Sequence, residues 1–174
     1  MIQTATASAT PELLGLDPKK AEMLVYLLRH AIAEDRAAKD SLRDLTAEGL
    51  AQARSITEKF KQYSPVMDRV LCSPYNRAQQ TASAVMTLFP DIALTLDESI
   101  KPSGDVYSVL DAIDGLDVQH LLIVSHNPLL SNLLSVMVDG TMESHRYLDN
   151  ATLHCVSMDV VASGCGEIAY TLEP

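Results

Sequence analysis

Arg29 and His30 follow directly on the apolar run Met23-Leu24-Val25-Tyr26-Leu27-Leu28. Such a run reads as a buried strand, where an unpartnered guanidinium or imidazole is costly. Adjacent strand residues point to opposite faces. The strand is therefore expected to finish at about Leu28, so that both side chains can turn to one anion at its carboxyl edge. Open α/β sheets place their ligand sites at that edge. Two further strand ends carry similar groups. One ends in Ser73-Pro74, with Arg77 in the first turns of the next helix, and the other in Ser125-His126-Asn127-Pro128. A cation near a helix N-terminus opposes the macrodipole by roughly 0.3–1 kcal/mol. A bound anion reverses that sign, because the helix terminus and the arginine then hold the same charge. The competing reading of Arg77 is a solvated head on an apolar stem; that of His126 is a structural histidine.

The elements that must position these groups alternate from residue 23 onward. Thr46 reads as an N-cap, with Leu50, Ala53, Thr57 and Phe60 behind it at helical spacing. A second strand spans about Arg69 to Cys72. Ser73-Pro74 has the N-cap and N1 signature of a helix start. That helix shows Ala78, Ala82, Val85, Met86 and Phe89 along one face and stops at Pro90. A third strand is expected over Ile92 to Leu96, and Ser103-Gly104-Asp105 opens a helix burying Val106, Val109, Leu110 and Ile113. His120 to Ser125 is a continuous apolar strand. Asn127-Pro128 repeats the N-cap and N1 signature before an apolar, central helix over Leu129 to Val138. Ala151 to Met158 and Glu167 to Leu172 read as two late strands. The alternation predicts an α/β fold, a three-layer α/β/α sandwich with a mostly parallel central sheet and room for an antiparallel edge.

The chain has 174 residues, 47% hydrophobic and 21% charged, with a formal net charge of −10. One domain over 23–174 is the simplest division, preceded by a leader over 1–22 expected to be partly disordered, with a short helix or linker in Pro11 to Lys20. A domain of this size buries roughly 70% of its unfolded surface and needs no staples. The acidic balance argues against a general nucleic-acid surface. No stretch approaches the roughly 18–20 apolar residues of a membrane span, and the opening residues lack the pattern of a secretory signal. Cys72, Cys155 and Cys165 are odd in number and lack C-x-x-C spacing. That argues against a disulfide framework or zinc site and for a reducing cytoplasm.

Four stretches together resemble the histidine phosphatase superfamily, which includes the cofactor-dependent phosphoglycerate mutases. They are Leu28-Arg29-His30-Ala31, Leu45-Thr46-Ala47-Glu48-Gly49, Cys72-Ser73-Pro74-Tyr75-Asn76-Arg77-Ala78-Gln79-Gln80-Thr81 and Val124-Ser125-His126-Asn127-Pro128, in the family's order. The small size and absence of long insertions are similar to the SixA-type phosphohistidine phosphatases. One departure is Ala31, where the family usually has glycine; it matters if position 31 needs a positive φ.

The resemblance implies a phosphoglycerate mutase-like fold with His30 as the nucleophile that becomes phosphorylated. Arg29, Arg77 and His126 then form the phosphate pocket, with Asn127 as a further backbone or side-chain donor. Nearby cations would keep His30 neutral. Glu98 matches the family's general acid, with Asp97 and Asp105 as alternatives; a solvated loop carboxylate is the competing reading of each. The resemblance implies neither metal nor other cofactor. The expected partner is a phosphorylated protein, possible forms including a histidine-containing phosphotransfer domain, or else a small phosphorylated molecule. Neither nucleic acid nor membrane is expected. Alternatives are a phosphatase of a small phosphomonoester, a mutase, and a non-catalytic phosphate-binding module. Arg36 and Arg43, after His30, and Asn150, before a late strand, are candidates for the pocket mouth. His120, His145 and His154 lack a motif and read as ordinary surface or strand residues. Asp111, Asp114 and Asp117 read as a solvated helix end.

Overall fold

The computed structural model describes residues 22–63 and 66–174. The expected leader, Glu22 apart, and the short helix or linker over Pro11 to Lys20 lie outside the described residues. Strands β1 (Met23–Arg29), β2 (Arg69–Cys72), β3 (Leu94–Leu96), β4 (His120–Ser125), β5 (Leu153–Met158) and β6 (Gly166–Leu172) form one sheet. Their order is β3-β2-β4-β1-β5-β6. The pairs β3·β2, β2·β4 and β4·β1 are parallel, whereas β5 and β6 are antiparallel additions beside β1. The two most continuously apolar strands, β1 and β4, therefore lie in the middle, as two-sided burial requires.

Alternation along β1 divides the core. Leu24, Tyr26 and Leu28 pack with Ala53, Ile56 and Phe60 of α1 (Ala47–Phe60) and with Ala78, Ala82 and Val85 of α2 (Asn76–Met86). Met23, Val25 and Leu27 pack on the opposite face with α3 (Val106–Asp114) and α4 (Leu129–Asp139). This is the expected three-layer sandwich. Helix α4 is buried nearly all round, as its apolar sequence predicts, and Asp105 caps α3 through Ser108 N–H.

Several local expectations are corrected. The segment after β2 does not begin its helix at Ser73-Pro74. Tyr75 is the N-cap and Asn76 the first helical residue, because Ser73 Oγ bonds His126 instead of a helix N–H. Nor is Asn127 an N-cap: its amide donates to the Leu148 carbonyl, and Pro128 takes the cap position. Helix α2 ends at Met86, short of Pro90, and β3 begins at Leu94. Leu50 faces outward; Gly49, Ala53, Ile56, Thr57 and Phe60 form the buried face of α1.

The loop between β1 and α1 is tied down at several points. Thr46 Oγ1 accepts from Gly49 N–H, as an N-cap should, and Thr46 N–H donates to the Ile32 carbonyl. Leu45 N–H donates to Gln80 Oε1 at 2.6 Å, and Gln80 in turn donates to Asp44. Gly49 makes this closure possible: a Cβ there would overlap the Ile32 carbonyl oxygen. Gly49→Ala is therefore expected to cost about 1–3 kcal/mol, read as a lower urea midpoint at unchanged m-value. An unshifted midpoint would show that the loop does not depend on this approach.

Candidate active site

Strands β2, β4 and β1 are parallel neighbours, so their carboxyl ends share one edge. Strand β1 does not stop at Leu28. Arg29 remains in register with Ser125, and the ladder extends through His30 N–H to the Ser125 carbonyl. Alternation therefore persists, and the pair straddles the sheet edge. Arg29 turns toward the segment after α4, where Nη1 donates to the Leu148 carbonyl at 2.8 Å and to Tyr147 Oη at 3.1 Å. Its Nε is buried and has no hydrogen-bond partner among the described residues. His30 turns to the α2 side.

The chemistry of the His30 ring follows from its two contacts. Nδ1 lies 2.7 Å from the Ala31 carbonyl oxygen. That oxygen can only accept, so Nδ1 carries the hydrogen and Nε2 holds the lone pair. Nε2 accepts from Arg77 Nε at 3.2 Å. Burial is the largest cause that depresses the His30 pKa to about 4; the Ala31 carbonyl opposes it, and Arg77, Arg29 and Arg43 add to it. Desolvation, and not the neighbouring cations, leads this shift.

Arg77 is buried to 4% exposure, so it is not a solvated head on an apolar stem. Besides His30 it donates from Nη1 to the Asp40 main-chain carbonyl at 2.7 Å and from Nη2 to Asp40 Oδ2 at 3.0 Å. Its guanidinium also lies 4.9 Å from the Tyr75 ring centre. Hydrogen bonds from Arg43 and then Arg77 hold the Asp40 carboxyl below its ordinary pKa.

His126 lies with its ring centre 4.9 Å from that of His30. Its Nε2 is 2.7 Å from Ser73 Oγ, and its buried Nδ1 has no partner among the described residues. Burial first, then His30 and Arg77, push its pKa down to about 2. The site thus holds two neutral imidazoles between two arginines.

Most of the other candidates are committed to partners of their own. The Asn127 side-chain amide donates to the Leu148 carbonyl at 2.9 Å. Glu98 stands on an exposed turn after β3 and pairs with Lys101 at 2.7 Å. Asp97 caps that turn through Ser99, and Asp105 caps α3. Arg43 binds the Glu34 carbonyl and Asp40, close enough to act on His30. Arg36 is exposed. Asn150 donates to the His30 carbonyl at 3.1 Å and so braces the His30 backbone. Ala31 does not adopt a positive φ; its N–H donates to Thr81 Oγ1, which donates onward to the Arg77 carbonyl. Cys72 and Cys155 are buried and free, Cys165 exposed and free. Among the described residues no group of His, Cys, Asp and Glu is arranged to hold a metal ion.

Sequence reasoning missed Asp40, the part played by Ser73, and Tyr147. Asp40 and Tyr147 lie in irregular segments where no periodicity points at them. Ser73 had a competing local explanation as a cap.

Comparison with known proteins agrees with this geometry. Residues 25–101 match the model of the histidine phosphatase superfamily (branch 1). The phosphohistidine phosphatase SixA of Escherichia coli K12 is 32% identical over 157 residues, 87% of this chain and 94% of that protein. A SixA homolog of Haemophilus influenzae is 36% identical over 125 residues, 65% of this chain and 76% of its own. The solved structure of the protein histidine phosphatase SixA complexed with tungstate superposes with a TM-score of 0.77 at 29% identity, covering 87% of this chain and 97% of that one. Identity near one third along almost a whole relative goes beyond a shared fold, and this chain belongs to the histidine phosphatase superfamily.

Proposed function

We propose that this phosphatase takes a phosphoryl group onto His30 Nε2 and passes it to water, and that its substrate is a phosphohistidine on a protein. The observation that carries the reading is the His30 tautomer. The Ala31 carbonyl fixes hydrogen on Nδ1, which leaves the Nε2 lone pair facing the Arg77 guanidinium. In the first step that lone pair forms a bond to phosphorus as the bond to the leaving group breaks. In the second, water attacks phospho-His30, the P–N bond breaks, and phosphate leaves with His30 neutral again.

Arg77 and Arg29 supply the charge for the equatorial oxygens. Arg77 Nε gives up Nε2 as phosphorus approaches, and Arg29 Nε is a buried donor without another commitment. A bound dianion reverses the field at His126, favouring its protonated form as a donor. The tungstate in the solved relative is a tetrahedral oxyanion of the phosphate type, which supports the pocket assignment. The substrate class rests on the relatives' activity and on the leaving group. Glu98 pairs with Lys101, and Asp40 is an anion between two arginines. A phosphohistidine that enters with its ring protonated on the other nitrogen releases a neutral imidazole when the P–N bond breaks, so it needs little acid assistance, unlike an alkyl ester. A cytoplasmic location fits the three free cysteines. Among the described residues no helix is long and apolar enough to cross a membrane. A single domain over 23–174 fits the one continuous sheet.

Three outcomes test this. Incubation with an aryl phosphate should give an acid-labile adduct on His30 by mass spectrometry. His30→Ala should lose turnover of a phosphorylated phosphotransfer domain by at least about a thousandfold. No adduct and full activity in His30→Ala would remove the nucleophile. Activity confined to small esters would keep the chemistry and refute the substrate.

Glu98→Gln should slow the same turnover by less than about tenfold, whereas a general acid contributes roughly 10²–10⁴. A loss of a hundredfold or more would restore Glu98 to the mechanism.

Ring-nitrogen NMR should place the His30 midpoint near 4, with hydrogen on Nδ1 at neutral pH. The unfolded ring binds its proton at about 6.5. Below that pH the unfolded state therefore takes up protons that folded His30 and His126 refuse, so stability falls as pH drops from about 6.5 toward 4. A His30 midpoint at or above 6.5 would contradict the buried, cation-flanked ring.

A further inference from the structure

The outer end of the Arg77 guanidinium is occupied by Asp40. Nη1 donates to its main-chain carbonyl and Nη2 to its carboxylate, at 2.7 and 3.0 Å. The two partners are unequally held. The Arg77 side chain is 5% exposed, that of Asp40 55%. Asp40 belongs to one short turn, Asp40–Leu42, in the loop between β1 and α1. Arg43 donates to its other carboxylate oxygen, and Arg43 is itself tied to the Glu34 carbonyl.

These contacts lie where a ligand must bind. Arg77 Nε is on His30 Nε2. A phosphoryl group at that nitrogen therefore meets the guanidinium edge whose second nitrogen, Nη2, holds the Asp40 carboxylate. Carboxylates and phosphoryl oxygens are the same kind of acceptor for an arginine fork and compete for the same N–H groups. Of the two partners in this ion pair, Arg77 is buried and the Asp40 side chain is the exposed one.

We propose that Asp40 is an internal competitor for the phosphoryl group, filling the Arg77 fork between turnovers and weakening the hold of the site on the product phosphate. The inference rests on Arg77 being a phosphoryl ligand. Asp40 is an affinity-setting residue and no proton donor, since hydrogen bonds from Arg43 and Arg77 keep it ionised at neutral pH. Its charge offsets one buried cation while the site is empty, and it opposes a second anion when one arrives. A residue that only braced Arg77 would act in the reverse sense, because its loss would disorder the fork and loosen phosphate.

The two senses are separated by titrating inorganic phosphate into the full chain by calorimetry, with Asp40→Asn and Asp40→Ala beside the parent. The expected result is a Kd for phosphate lower by about fivefold or more in both variants, as removal of a charged competitor for one hydrogen bond requires. The product-inhibition constant of phosphate against an aryl phosphate should fall in parallel. Either variant binding phosphate no more tightly than the parent overturns the proposal. Arg77→Ala serves as the control: it should bind phosphate at least about tenfold more weakly. If it binds like the parent, the phosphate-site reading itself fails, and the proposal with it.

Discussion

The hydrogen bond from Arg77 Nε to His30 Nε2 is the contact on which the rest of the site depends. It requires a neutral imidazole, because a protonated Nε2 has no lone pair to offer. Neutrality in turn requires burial, which is the largest cause of the low His30 pKa. Burial requires that β1 lie between β4 and β5, with its last residues still paired on both sides. A phosphohistidine pathway needs that same uncharged nitrogen, so the fold's burial of the strand end and the reactivity of the ring are one constraint seen twice.

A buried guanidinium has its own cost, and Arg77 is also the second residue of a helix, where the macrodipole opposes a cation. Three features offset this. The Asp40 carboxylate pairs with it, the Asp40 and His30 acceptors satisfy all three of its nitrogens, and the Tyr75 ring lies against it. The loop bearing Asp40 is therefore part of the electrostatic balance of the pocket. Its ties to Gln80 and to Thr46 explain why a surface turn arrives at a buried arginine with a defined side chain.

Much of this was legible in the chain. Alternating apolar runs predicted the strands and their parallel core, and three polar strand ends predicted a shared edge. Arg29, His30, Arg77 and His126 do arrive at that edge. What the sequence could not convey was direction. Arg29 and His30 were expected to converge on one face, yet strand alternation holds through both, and they flank the edge from opposite sides. Ser73 and Asn127 looked like helix caps because cap preferences are local, while tertiary contacts to His126 and Leu148 claimed both side chains. Asp40 was invisible because its importance comes from a partner 37 residues away.

The electrostatics are also compatible with the proposed binding of a dianion by a chain of net charge −10. Field strength at a site depends on the nearest charges and the local dielectric more than on the total. At this edge Arg29 and Arg77 face two imidazoles that burial keeps neutral, with Asp40 as the nearby carboxylate. The imidazoles add no positive charge in the resting state, so the pocket avoids stacking four buried cations. They also avoid repelling each other at a ring separation of 4.9 Å. In the proposed reaction a phosphoryl dianion would turn a proton on His126 from a repulsive charge into an attractive one. The low resting basicity of the pair is what makes that change conditional on substrate.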